Sequence, residues 1–290
     1  MRGRMPIRHC VIPAAGMGSR FLPATKALPK ELLPVLDRPI LQWGVEEAVA
    51  AGCDNMVVVT SRGKELMAQH FDAAPELERS LRERGKADAL AAIDHTRELA
   101  SFAWVYQAAP LGLGHAVLQA APIVGDQTVA CLLPDDLSFG AVPVLRQLVD
   151  AHAETGTTVL ALMRCPADVI GRYGCAEIAE SRGRMHRVTG MVEKPAPGTA
   201  PSDLAIMGRY VLTPAVMESL RRTVPGAGGE IQLTDGIAGA LATEEIWGVE
   251  FDGELLDVGT PQGWLSTLLR VGRGHPVFGP VLDNAFGVPR

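Results

Sequence analysis

Two periodicities of apolar and polar residues trade places along the chain. Arg8 to Ile12 is a short apolar run that reads as a buried strand, and Asn55 to Thr60, Phe102 to Gln107, Thr128 to Leu133 and Thr158 to Met163 repeat it. Between the first two, Pro39 to Ala51 sets Leu41, Val45, Ala48 and Val49 on one helical face. His115 to Ala121 and Val142 to Ala153 predict further helices. Such alternation predicts an α/β fold, Rossmann-like, with a mixed but mostly parallel central sheet flanked by helices. Glu76 to Asp94 is charged, with only Leu77, Leu81 and Leu90 as apolar marks; it predicts a surface helix, either solvated or at a subunit contact.

From Tyr173 onward the pattern turns antiparallel, with strands expected at Cys175 to Ala179, His186 to Val192 and Ile206 to Leu212. Ser181-Arg-Gly-Arg184 offers a turn between the first two, and Pro195 to Pro201 a proline-rich loop. Gly226 to Gly229 precedes Glu230-Ile-Gln-Leu-Thr-Asp235, which opens a helix through Leu241. Ile246 to Phe251 and Glu254 to Val258 predict a hairpin about Asp252-Gly253. A last helix starts near Pro261, and a Gly/Pro-rich tail follows. The expected organisation is one domain over 1–275: a nucleotide-binding half (7–165), a sugar-binding half (166–260) and a C-terminal helix (261–272), then the tail 276–290.

Composition narrows the function classes. With 47% hydrophobic and 21% charged residues, the 290-residue chain has ample material for a packed core. Its net charge of −6 argues against a nucleic-acid binder, so any cation cluster is a local feature. No apolar run approaches the roughly 20 residues that span a bilayer. The basic start, Met-Arg-Gly-Arg-Met-Pro, runs straight into a strand, unlike a signal peptide. Five cysteines without a Cys-x-x-Cys pair read as buried thiols in a reducing compartment, and the expected location is cytoplasmic.

The chemistry concentrates after the first strand. Ala14-Ala-Gly-Met-Gly18 breaks it into a glycine loop, and Arg20, Lys26 and Lys30 follow. Glycine permits close backbone approach, and successive loop amides make an anion site. The loop is neither a Walker sequence nor a dinucleotide fingerprint: no Gly-Lys-Ser/Thr follows, and Pro23, Pro29 and Pro34 exclude an immediate long helix. A phosphate loop and a purely geometric turn both remain open on the glycines alone; the three cations favour the first. Asp135, beside Asp136, ends an apolar run, and Asp257 ends another before Gly259. Mg²⁺ binding and a Pro-Asp-Asp surface turn are both compatible with that placement. Lys194, after Glu193, suits an anionic substrate group, and the Gln107 amide can read the edge of a ring. His115 reads as a helix-start residue or supporting donor, not a base.

Taken together, these blocks resemble the sugar-1-phosphate nucleotidyltransferases, and among them the bacterial UTP–glucose-1-phosphate uridylyltransferases. The resemblance spans residues 7 to about 270. It rests on Ile12 to Arg20, Leu22 to Pro34, Gly112 to Val117, Leu133-Pro-Asp135, Val192-Glu-Lys-Pro195, Ala205 to Val211 and Glu230 to Asp235. It implies UTP and glucose 1-phosphate as substrates, UDP-glucose and pyrophosphate as products, Mg²⁺ as cofactor, and a homo-oligomer. By position, it implies that Ala14, Ala15, Gly16 and Gly18 hold base and phosphates, with Lys26 nearby. Arg20 and Lys30 would bind the triphosphate. Gln107 and Gly112 would recognise uracil, with Glu31 a further candidate. Asp135 would bind the metal, with Asp257 as second ligand. Glu193 would contact sugar hydroxyls, Lys194 the sugar phosphate, Gly174 and Gly208 the sugar pocket, and Glu230 the sugar. Asp257-Val-Gly-Thr260, the segment Gln107 to Gly112 and Arg172-Tyr-Gly-Cys175 depart from the family pattern near base and sugar. A thymidylyltransferase, or another hexose 1-phosphate, is therefore an alternative substrate pairing.

Overall fold

A computed structural model describes residues 6–226 and 229–287. The basic start at 1–5, part of the loop Gly226 to Gly229, and the end of the tail lie outside the described residues. The strands are β1 (His9–Pro13), β2 (Pro34–Val35), β3 (Arg38–Pro39), β4 (Asn55–Thr60), β5 (Ser101–Tyr106), β6 (Val129–Leu132) and β7 (Asp136–Phe139). In the second half come β8 (Thr158–Arg164), β9 (Gly174–Arg182), β10 (Met185–Glu193), β11 (Leu204–Leu212), β12 (Ile246–Glu250) and β13 (Glu254–Asp257). Helices α1 (Ile40–Ala50), α2 (Leu66–Phe71), α3 (Pro75–Glu83), α4 (Ala87–Glu98), α5 (Leu113–Leu118) and α6 (Ala121–Val124) fall in the first half. The others are α7 (Val144–Thr155), α8 (Pro214–Arg222), α9 (Leu233–Ala240), α10 (Pro261–Gly274) and α11 (Gly279–Phe286).

Among the described residues the main sheet has nine strands in the order β5-β4-β1-β6-β11-β8-β12-β10-β9. The pairings make seven of the nine run in one direction, with β10 and β11 reversed. This is the mixed α/β sheet that the hydrophobic pattern predicts. One face packs on α1 and α7 through Leu41, Val45, Leu145 and Leu148; the other packs on α5, α8 and α9 through Val117, Val216, Leu233 and Ile237. Burial on both faces explains why these strands read as continuous apolar runs. All five cysteines are buried and unbridged. Among the described residues, no helix is long and apolar enough to cross a membrane.

Four expectations change. The hairpin at 246–258 does not form: β12 lies between β8 and β10 in the main sheet, while β13 pairs with β7. Both edges of β12 are already taken, so the chain leaves through Gly253, at φ 104°, to a separate two-stranded sheet. The stretch 76–94 is not one helix: α3 and α4 are split by a turn in which Gly85 is left-handed at φ 66°. The tail contains a helix, α11, which packs against Gly272 of α10 through Leu282. Finally, β5 is an edge strand, half-buried where a buried one was expected.

Candidate active site

The glycine loop leaves the end of β1, where the Ala14 amide donates to the Val59 carbonyl at 2.7 Å. Gly16 is exposed, with no neighbour within 4 Å of the position a Cβ would take, so its backbone is open to a ligand. Gly18 is left-handed at φ 66°, and its carbonyl accepts from Thr25 Oγ1 at 2.7 Å. That turn folds the loop onto Lys30, whose Cβ would lie 3.2 Å from a Cβ at Gly18. Ala15, Gly16, Lys30, Gln107, Gly112 and Asp135 line one cleft of about 390 Å³. Arg20 is exposed nearby, with its charge felt by both Lys30 and Asp135. Lys26 is exposed at the end of a 3₁₀ turn and lines neither this cleft nor the smaller pocket described below.

At the floor, Lys30 Nζ lies 2.8 Å from Asp135 Oδ2. Burial would push the Asp135 carboxyl up, but the Lys30 ammonium beside it more than offsets this and holds it below the usual range. Burial would likewise lower the Lys30 pKa; Asp135 and Glu31 more than compensate and raise it. Asp257 arrives because β13 pairs antiparallel with β7, setting it opposite Asp136, and because the Val258 amide donates to the Asp135 carbonyl at 2.8 Å. A Cβ at Gly259 would sit 3.0 Å from Asp135 Oδ2 and 3.2 Å from Asp257 Oδ1. The two carboxylates thus flank one side-chain-free position. This donor set fits Mg²⁺, which takes one or two carboxylates and completes its shell with phosphates and water. Among the described residues there is no cluster of three or more His, Cys, Asp or Glu for a closed metal cage. Asp136 is half-buried; desolvation and then the neighbouring Asp135 push its carboxyl up to about 7.

The loop that presents Asp135 is held from behind by Arg209, a fully buried residue of β11. Its Nη1 donates to the Leu133 carbonyl at 3.0 Å and its Nη2 to the Asp136 carbonyl at 2.5 Å, so Asp135 sits between two anchored peptides. Glu47 of α1 neutralises the guanidinium, accepting from Nη2 at 2.7 Å and from Nε at 3.0 Å.

A second, smaller pocket of about 150 Å³ adjoins the first and shares Leu113 and Leu133 with it. Gly174, Glu193, Gly208, Arg172 and Thr234 line it. Thr234 Oγ1 donates to Glu193 Oε2 at 2.8 Å and fixes that carboxylate. A Cβ at Gly208 would meet Asp136 Oδ2 at 2.8 Å, so that position must stay bare, while one at Gly174 would press on Glu193 Oε2 at 3.2 Å. Lys194 is exposed, 3.4 Å from Glu193 Oε1, with a left-handed backbone at φ 45°. Glu230, expected at the sugar, lines the larger cleft instead, beside Gly112.

In the larger cleft, Gln107 Nε2 donates to the Gly112 carbonyl at 3.1 Å and lies 2.9 Å from His115 Nδ1. His115 thus touches Gln107 from the first turn of α5. Glu31 lines the cleft, yet it is only 1% exposed and both its oxygens accept from Lys64 Nζ, at 3.0 and 2.9 Å. Lys64, Arg209, Glu47 and Thr234 were all missed in the sequence. Arg209 alone carried a signal there, as a charge inside an uninterrupted buried strand.

Residues 9–271 match the nucleotidyl transferase family. The chain belongs to that family. This nucleotidyl transferase is 44% identical over 263 residues to the UTP–glucose-1-phosphate uridylyltransferase of Bacillus subtilis, covering 91% of this chain and 90% of that protein. It is 43% identical over 270 residues to the Staphylococcus haemolyticus protein of the same name, covering 93% and 94% of the two chains. Among solved structures, it superposes on a UTP-bound UGPase from Acinetobacter baumannii with TM-score 0.90 and 36% identity, covering 98% of this chain and 100% of that one. A UDP-glucose pyrophosphorylase in complex with UDP-glucose gives TM-score 0.85 at 34% identity, covering 93% and 100%. The family resemblance read from the sequence motifs therefore holds across the chain.

Proposed function

We propose that this nucleotidyl transferase joins UTP to glucose 1-phosphate, yielding UDP-glucose and pyrophosphate. The observation that carries this reading is the pair of adjoining clefts that share Leu113 and Leu133, the larger lined by Lys30 and Asp135 and the smaller by Asp136 and Glu193. Both named relatives act on this substrate pair by their names, and one similar structure holds the product.

The chemistry needs no activated side chain. A phosphate monoester is itself nucleophilic near neutral pH, so one oxygen of glucose 1-phosphate attacks the α-phosphorus of UTP in line. The bond from that phosphorus to the bridging oxygen breaks, and its electron pair leaves with pyrophosphate. What the protein supplies is alignment of two mutually repelling anions and compensation of charge. In this reading the amides of Ala14 to Gly18 and the side chains of Arg20 and Lys30 hold the triphosphate, with Lys26 as an outer cation. Gln107 and Gly112 face the uracil and Glu31 backs them. Glu193 takes sugar hydroxyls between Gly174 and Gly208, while Lys194 takes the sugar phosphate. Asp135 and Asp257 would hold Mg²⁺. When bound, that ion offsets negative charge on the phosphates.

The direct test measures pyrophosphate release with Mg²⁺, crossing UTP, dTTP, CTP and GTP with glucose, galactose and N-acetylglucosamine 1-phosphates. Turnover dominated by UTP with glucose 1-phosphate is expected. Preference for another pair would move the substrate label, and folded protein that binds UDP-glucose without turning over any pair would make it a sugar-nucleotide sensor. Within the same assay, Lys194→Ala should raise KM for glucose 1-phosphate about tenfold or more, the scale of a lost charge-assisted hydrogen bond, and leave KM for UTP nearly unchanged. An unaltered KM for glucose 1-phosphate would remove Lys194 from the site.

A further inference from the structure

We propose that Lys64 is a positioning residue for the nucleotide, fixing the glycine loop and the Lys30 ammonium in one rigid frame. Lys64 is 8% exposed and comes from neither of those segments. It follows the end of β4, after the left-handed Gly63 at φ 83°, and its carbonyl accepts from the Met67 amide in the first turn of α2 at 3.0 Å. Its side chain runs back beneath the glycine loop. There Nζ donates to the Ala14 carbonyl at 2.7 Å and to both Glu31 oxygens at 3.0 and 2.9 Å.

An ammonium has three hydrogens; one reaches the Ala14 carbonyl and another is shared between the two oxygens of the Glu31 carboxylate. With its ammonium buried against these two groups, Lys64 acts through its partners. One of those partners opens the loop. Ala14 is pinned at both ends of its residue, its amide on Val59 and its carbonyl on Lys64, so the loop amides that follow leave β1 in a set direction. The other partner, Glu31, is the residue after Lys30 in the 3₁₀ turn Lys30–Leu32, so anchoring Glu31 anchors the backbone from which Lys30 reaches Asp135. Loop amides and the Lys30 ammonium must meet one triphosphate at a fixed separation, and Lys64 is the group that touches both of their supports. A solvated lysine could not do this; the buried one has a single geometry available. Burial pushes the Lys64 ammonium below its usual range, and the Glu31 carboxylate opposes that shift.

The inference rests on the proposed nucleotide site, and its test separates the two. The parent enzyme first establishes turnover with UTP; absence of turnover with every nucleotide would end the underlying reading. Given turnover, Lys64→Met should raise KM for UTP about tenfold while KM for glucose 1-phosphate stays at the parental value, because only the nucleotide's contacts hang from Lys64. Calorimetric titration of UTP should show the same loss. Removing Lys64 alone strands the Glu31 carboxylate in the interior, so the single variant is vulnerable to unfolding. The paired variant Glu31→Met with Lys64→Met removes both charges and should fold with near-parental Tm, yet keep the raised KM for UTP, since the Ala14 carbonyl still lacks its donor. A paired variant with parental KM for UTP would overturn the proposal, because Lys64 would then serve only to neutralise Glu31. Equal rises in KM for both substrates would overturn it as well.

Discussion

Lys30→Met should lower kcat about 10²–10³-fold, the cost of removing one preorganised charge from a developing anion. The size of the effect follows from where the ammonium sits. It is half-buried at the cleft floor, 2.8 Å from Asp135 Oδ2, and water cannot readily replace it. Its removal also deletes the cation that holds the Asp135 carboxyl below its usual range against the opposing pull of burial. Both losses fall on the step in which charge moves to pyrophosphate, so kcat should drop further than KM for either substrate rises. Methionine keeps most of the stem's apolar contacts, and the melting temperature should move little. Steady-state pyrophosphate release under saturating UTP and glucose 1-phosphate reads the result directly. A folded Lys30→Met variant with parental kcat would remove Lys30 from the chemistry and leave it as a structural partner of Asp135.

Much of this centre could be read from the chain because α/β sheets place ligands at the carboxyl ends of their strands. The glycine loop after β1, Gln107 after β5 and Asp135 after β6 each follow an apolar run, and the parallel order β5-β4-β1-β6 brings those ends to one cleft. Local pattern therefore sufficed for them. Asp257 was legible as a strand-end carboxylate able to share a metal with Asp135, but the route that brings it there was not, since it depends on β13 abandoning β12 for β7. A turn sequence such as Asp252-Gly253 specifies a reversal; which partner the next strand meets is decided by which edges remain free. Lys64 illustrates the opposite limit. Between Gly63 and Glu65 it looks like any solvated lysine, and only the fold shows that it points inward. Glu47 is hidden for a related reason. It lies beside the apolar stripe of α1, and its burial is tolerable because an arginine 162 residues later and the Leu145 amide of α7 complete it.

That arginine carries the largest expected effect on stability. Arg209→Met should destabilise the fold by about 3–5 kcal/mol, the usual cost of breaking a buried ion pair from one side. The Arg209 side chain is 0% exposed and that of Glu47 6%, so neither water nor salt screens the carboxylate left behind. Solvent exposure would have reduced such a pair to a small fraction of that value. The same substitution removes the donors to the Leu133 and Asp136 carbonyls, which bracket Asp135 in the chain. Stability and turnover should therefore fall together, and a second variant separates them. Glu47→Met combined with Arg209→Met replaces the pair with apolar side chains and should recover most of the lost stability in denaturant titrations. It restores no donor to either carbonyl, so the carboxylate between them remains loosely aimed and kcat should stay well below the parental value. A double variant recovering both stability and kcat would show that the β6–β7 turn holds its shape without Arg209. A single variant as stable as the parent would mean that the Glu47 carboxylate finds another partner in the interior, contrary to the geometry of a charge enclosed by α1, α7 and β11.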